Sequence, residues 1–162
     1  MQIVYKANIE TKFGSFVVIG DEEGIYFLQP KALEAESKKL PFKIVEGYTN
    51  PMRLLAQELH DYFEGNLKAF KTPIALLGTD FQKSVWKELY NIPFGKTVSY
   101  LEIAQKINKP KAFRAVANAN GANKIAIITP CHRVINSNGN LGGYAGGIEN
   151  KKGLLIHEQR HR

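Results

Sequence analysis

The chemistry in this chain is concentrated in Thr129-Pro130-Cys131-His132-Arg133-Val134, where its only cysteine stands beside one of its four histidines. A thiol becomes a nucleophile as its thiolate, and an adjacent base and cation are the neighbours that favour that form. The plainer reading is a small buried hydrophobe, the commoner fate of a lone cysteine. Local context argues against it. Ile125-Ala126-Ile127-Ile128 reads as a buried strand, Pro130 cannot donate to a sheet ladder, and Cys131 then falls just past a strand end, where sites tend to lie.

A single cysteine excludes an intramolecular disulfide and a thiolate-rich metal site, and leaves no second thiol in the chain to restore the first once it is modified. The 162 residues, 44% hydrophobic, suffice for one ordinary domain or two small ones. The N-terminus lacks the apolar core of a signal peptide and no run approaches a membrane span, so a soluble, cytoplasmic protein is expected. The net charge of +7 is unevenly placed: residues 1–78 hold 9 Lys and Arg against 10 Asp and Glu, net −1, while residues 79–162 hold 13 against 5, net +8. Such an asymmetry suits a polyanion partner for the second half, and equally a solvated basic surface.

Around this segment the chain must build a frame. Strand-like runs at Ile3 to Asn8, Ser15 to Gly20 and Gly24 to Leu28 suggest an antiparallel meander, with a further strand at Phe42 to Glu46. Asn50-Pro51 reads as a cap and first turn of a helix whose Met52, Leu55, Leu59, Tyr62 and Phe63 repeat at helical spacing up to Gly65. A linker over about Lys71 to Thr79 divides residues 1–77 from residues 78–162.

In the second half, Thr79 or Asp80 caps a helix carrying Phe81, Val85, Trp86 and Leu89, which Pro93 ends. Ser99-Tyr100-Leu101-Glu102 reads as a capping box opening a short helix to Ile107, and Pro110 starts the next, which runs to Gly121. Two helices joined by so tight a connection form a helix-turn-helix. The second is rich in alanine, slim enough to enter a groove, and bears Arg114, Asn118 and Asn120, types that contact phosphates and base edges; an ordinary packing helix would look similar. Asn136 to Asn140 is a turn cluster that lets Val134-Ile135 and Leu141 flank a hairpin, a wing to those helices. Gly142-Gly143-Tyr144-Ala145-Gly146-Gly147 permits close approach of backbone to a ligand. Glu158 stands near the end of the last helical segment, either solvated or orienting an imidazole.

With Pro130-Cys131-His132-Arg133-Val134 preceded by Asn123 and a helix-turn-helix, and followed by the glycine-rich loop, the sequence resembles the O6-alkylguanine-DNA alkyltransferases. The likeness extends through Phe81-Gln82, Val85-Trp86, Ile92-Pro93, Ser99-Tyr100, Arg114-Ala115-Val116 and His157-Glu158. It implies an α+β protein, with a small ribonuclease H-like α/β domain at residues 1–77. A winged helix-turn-helix domain carrying the active-site cysteine follows at residues 78–162. It also implies DNA repair by direct reversal: Cys131 takes a methyl or other alkyl group from O6 of guanine in double-stranded DNA, once, with the nucleotide flipped out. O4 of thymine is left open as a second target.

The resemblance assigns roles residue by residue. Cys131 is the nucleophile, His132 accepts its proton through a water, Glu158 orients His132, Asn123 ties the helix-turn-helix to the active-site segment, and Tyr100 donates to guanine N3. Val134, Tyr144, Ala145 and Gly146 wall the substrate pocket, with a backbone N–H at Ala145 meeting O6. Arg114 is the finger that fills the gap in the stack, and Ala115, Asn120 and Ser99 join it as DNA contacts. No metal or cofactor is implied, and the zinc site of larger family members lacks its cysteines here. A monomer with no membrane association is expected. A winged-helix DNA-binding protein with a structural Cys131, or a Cys-His hydrolase, accounts for fewer of these features.

Overall fold

The computed structural model describes residues 1–162 as two compact units, Met1–Ala75 and Leu76–Arg162. In the first, β1 (Ile3–Thr11), β2 (Gly14–Asp21) and β3 (Gly24–Pro30) form the expected antiparallel meander. Its turns are locally specified. Thr11 Oγ1 donates to the Gly14 carbonyl at 2.8 Å, and Asp21 Oδ1 accepts from the Glu23 N–H at 2.9 Å, an Asx turn. A 3-10 helix, Lys31–Lys39, leads to β4 (Lys43–Glu46), which joins the sheet parallel to β1 and gives the order β3-β2-β1-β4.

Helix α1 (Asn50–Phe63) is capped by Thr49, not by Asn50. Thr49 is the residue in extended backbone, so its Oγ1 reaches the Met52 N–H at 3.3 Å; Asn50 instead accepts from Arg53 Nη1 at 2.8 Å. Met52, Leu55, Leu59, Tyr62 and Phe63 are all buried on one face. Each buried side chain of this kind contributes about 1.5–3 kcal/mol. Glu58, buried on the same helix, accepts from the N–H groups of Lys71 and Thr72 at 2.8 and 2.9 Å, and Ile74 bridges to Ile25. Most of the expected linker is therefore anchored within the first unit.

The second unit packs three helices: α2 (Asp80–Tyr90), α3 (Tyr100–Lys106) and α4 (Phe113–Gly121), the last preceded by a 3-10 turn at Pro110–Ala112. Thr79 and Gln82 form a complete capping box on α2, while at α3 the Ser99 hydroxyl accepts from the Glu102 N–H at 3.0 Å. Val85, Trp86, Leu89, Ile103, Ala104, Val116 and Ala119 make the shared core. Trp86 Nε1 donates to the Ala119 carbonyl at 2.8 Å and so fixes the end of α4 against α2.

Two expectations fail beyond α4. Ile125 to Ile128 is a buried turn, not a strand, with Ile127 at φ 69°. A β-branched residue in the left-handed region is strained by about 1–3 kcal/mol and persists only where its surroundings hold it. Asn123 does so, donating from Nδ2 to the carbonyls of Ile125 and Thr129 at 3.1 and 2.8 Å and accepting the Ile125 N–H at 3.1 Å. The hairpin is also absent. β6 (Val134–Ile135) pairs in parallel with β5 (Val98–Ser99), and the Asn136 N–H closes the following turn on the Asn140 carbonyl at 2.9 Å, with no second strand at Leu141. Helix α5 (Ile148–Arg160) completes the unit.

Candidate active site

Cys131 opens a single 3-10 turn, Cys131–Arg133, and is buried together with both neighbours. Consecutive residues of such a turn point about a third of a revolution apart, so His132 and Arg133 leave the thiol and reach α5. Lys151, Leu154 and Glu158 recur along α5 at the i, i+3, i+7 spacing of one helical face, and all three are buried. That face carries two charged groups into the site.

Glu158 is the hub. Its Oε2 lies 2.7 Å from His132 Nε2 and accepts from Arg133 Nη2 at 2.9 Å; its Oε1 accepts from Arg133 Nε at 2.9 Å and from the Gly95 N–H at 3.1 Å. Gly95 can serve because its φ is 78°, and a Cβ there would meet the Arg162 side chain at 2.6 Å. Arg133 Nη1 donates to the Ile92 carbonyl at 2.6 Å. The cation expected beside the thiol thus belongs to Glu158, as a bidentate fork.

These contacts set the protonation states. Burial opposes charge on Glu158, but the hydrogen bonds and charges of His132 and Arg133 outweigh it and hold the carboxyl well below the usual range. Burial pushes His132 down, against the contrary pull of Glu158, so the resting imidazole is neutral. An ionised carboxylate only accepts, hence Nε2 carries the proton and Nδ1 keeps the lone pair. Nδ1 is buried and has no partner in the protein. A poised base is what that arrangement provides.

At Cys131, burial raises the thiol above its usual range, while hydrogen bonds from Asn123 and Tyr144, its own backbone and the charge of Lys151 pull it back. Tyr144 is itself raised well above the ordinary phenol value, first by burial and then by the facing thiolate. Tyr100, at the start of α3, is raised by the same two causes. The thiol rests protonated, among groups that stabilise it once ionised.

Lys151, which belongs to none of the sequence motifs, is part of the site. Its Nζ donates to the carbonyls of Val134 at 2.6 Å, Gly143 at 3.2 Å and Leu141, and stands 5.9 Å from the Tyr100 ring centroid. One ammonium therefore pins both ends of the segment between β6 and the glycine-rich loop. Burial brings its pKa down to about 8. The signal was the spacing of Lys151, Leu154 and Glu158, which puts the lysine on the carboxylate's face. In Lys151→Met the carbonyls of Val134, Leu141 and Gly143 lose the Nζ donor they share, a cost of about 1–3 kcal/mol. Urea unfolding should show that loss, and the pH dependence of iodoacetamide alkylation should show a higher thiol pKa.

Comparison with known proteins shows the family. Residues 80–160 match the family described as 6-O-methylguanine DNA methyltransferase, DNA binding domain, and residues 4–76 match its ribonuclease-like domain. The chain belongs to the 6-O-methylguanine DNA methyltransferase family. It is 44% identical over 159 residues to a methylated-DNA–protein-cysteine methyltransferase of Methanosarcina barkeri, covering 98% of this chain and 99% of that one. An inducible member from Bacillus subtilis is 40% identical, with 97% and 91% covered. The crystal structure of Mycobacterium tuberculosis O6-methylguanine methyltransferase superposes with a TM-score of 0.86 at 40% identity, covering 98% and 94%. The same organism's protein in complex with DNA gives 0.85, again at 40% identity, with 98% and 94% covered.

The structure distributes the expected site residues over this unit as follows. Cys131, His132, Asn123, Tyr100, Val134 and Tyr144 converge with Glu158 around the buried 3-10 turn. Ala145 is exposed in the glycine-rich loop and Gly146 is partly so, the Gly147 N–H closing their turn on the Tyr144 carbonyl at 3.0 Å. Arg114 and Ala115 are exposed on α4. The other two expected DNA contacts are not at the surface. Asn120 is 4% exposed and its Nδ2 donates to the Cys131 carbonyl at 3.3 Å, because it lies on the inner face of α4 with Val116 and Ala119. Ser99 is buried as the cap of α3. No helix is long and apolar enough to cross a membrane.

Proposed function

We propose that this chain repairs DNA by direct reversal, as a methylated-DNA–protein-cysteine methyltransferase that acts once. The observation that carries the reading is the ordered pair beside the sole cysteine. Glu158 Oε2 lies 2.7 Å from His132 Nε2, leaving Nδ1 as a buried acceptor one residue from Cys131. In this reading Nδ1 takes the thiol proton through a bridging water, and Glu158 with Arg133 stabilises the imidazolium that forms. The thiolate attacks the alkyl carbon in line: the S–C bond forms, the C–O6 bond breaks, and its electron pair stays with guanine. The Tyr100 phenol donates at N3, and the Ala145 N–H at O6 in the wall formed with Val134, Tyr144 and Gly146. Asn120 and Asn123 act as positioning residues, one on the Cys131 carbonyl and the other on the turn before it.

The product is a thioether, which thiol exchange does not reopen, and the chain holds no second thiol. Double-stranded DNA bearing O6-alkylguanine is the partner, with Arg114 and Ala115 on the exposed face of α4 meeting it and Arg114 filling the gap left by the flipped nucleotide. A cytoplasmic monomer needing no metal or cofactor suffices for this chemistry. The direct test is a duplex carrying labelled methyl on guanine O6: label should accumulate on Cys131 and plateau near one methyl per chain. Continued turnover would refute the reading. Arg114→Ala should slow transfer from duplex by at least about tenfold, the scale of one lost stacking contact. Transfer from free O6-benzylguanine, which needs no flipping, should stay unchanged.

A further inference from the structure

Phe113 is 46% exposed at the first position of α4. The partly buried apolar side chains that pack on the unit's core include Phe81, Ile107 and Ala117 but not Phe113. A single exposed aromatic is ordinary on a protein surface. Its surroundings make this one informative. Arg114 and Ala115 follow it, both exposed, and Lys109 and Lys111 precede it, also exposed. From Ile103 to Ile148 the chain contains no Asp or Glu, against six Lys and Arg. An apolar ring flanked in sequence by exposed cations, in a stretch without a carboxylate, matches a polyanion whose interior is flat and apolar, which is duplex DNA.

Resting on the function proposed above, we infer that Phe113 is a second inserting side chain, which stacks on the base uncovered when the target nucleotide leaves the helix. Consecutive residues of an α-helix emerge about 100° and about 1.5 Å apart, so Phe113 and Arg114 leave the first turn of α4 as a fork. Flipping removes one stacking partner from each neighbouring base, and a guanidinium covers one face of the gap. An aromatic ring restores the other, in the way apolar wedges hold opened base steps in the minor groove. Ala112 and Ala115 on either side of the fork add little bulk, so the ring can reach the base step without steric competition.

The test compares Phe113→Ala, Phe113→Leu and Phe113→Trp with the unaltered chain in single-turnover transfer from a duplex holding one O6-methylguanine, and from free O6-benzylguanine. Phe113→Ala should slow duplex transfer about tenfold, the scale of one lost base–aromatic stack. Phe113→Leu should fall between, Phe113→Trp should match the unaltered chain, and the free-base rate and Tm should not move. Because the contact is apolar, the slope of log affinity against log salt should be the same in Phe113→Ala as in the unaltered chain. A 2-aminopurine beside the lesion should stay quenched with Phe113 and brighten with Ala. Duplex transfer within twofold of the unaltered rate in Phe113→Ala, an equal loss on the free base, or a flattened salt slope would each overturn the inference. Failure of the unaltered chain on both substrates would instead overturn the function on which it rests.

Discussion

Glu158→Gln should slow alkyl transfer by about 10²- to 10⁴-fold, the usual contribution of a positioned general base, on duplex and free base alike. The amide cannot compensate the imidazolium, and without the carboxylate's charge His132 is a weaker base still, since Glu158 is what raises it against burial. The same change leaves Arg133 buried without its counter-ion. Breaking a buried pair in this way costs about 3–5 kcal/mol, which urea unfolding at pH 7 would register. The pH dependence follows in sign. The folded carboxyl titrates below the unfolded one, so its stabilisation is complete above the ordinary Glu value and is lost as pH falls through the folded value. The stability gap between the two chains should therefore narrow below about pH 4. A rate unchanged at neutral pH, in a variant still folded, would remove Glu158 and His132 from the reaction.

Cys131→Ala should transfer nothing, since the chain has no other thiol. It should still bind an O6-methylguanine duplex, because Arg114 and α4 lie outside the substitution and the buried hydrogen bonds nearby come from the Cys131 backbone and from Asn123. Gel-shift affinity near that of the unaltered chain, with no label on the protein, is the expected pair of results. Residual label on any residue would mean that Cys131 is not the acceptor. Loss of binding as well would mean that the thiol supports the turn on which it sits.

Legibility differed by the kind of interaction. The helices of the second unit were readable because caps and periodicity are local: Thr79 and Ser99 mark starts, Pro110 opens the 3-10 turn that leads into α4, and Val85, Trp86 and Leu89 mark a face. The run Ile125 to Ile128 was not, because four apolar residues buried on all sides carry no period, and what bends them is the Asn123 side chain and a left-handed Ile127. Val134-Ile135 pairs with a strand 36 residues earlier, so the local turn signal at Asn138-Gly139 suggested the wrong partner. Asn120 has a type suited to base edges, yet the helical phase shared with Val116 and Ala119 turns it inward.

The sequence by itself marked out the sole cysteine, its adjacent histidine and the motifs of a family, which depend on residue identity and local spacing; the pairing of Glu158 with His132 came only as what the resemblance implies. Tertiary structure alone decided where the charges go. Only when α5 is laid along the 3-10 turn does Arg133 fork onto Glu158 instead of facing the thiol, and Lys151 close on the carbonyls of Val134, Leu141 and Gly143. Those contacts join residues 8 to 25 positions apart in the chain, and their strength comes from burial, which no local pattern encodes.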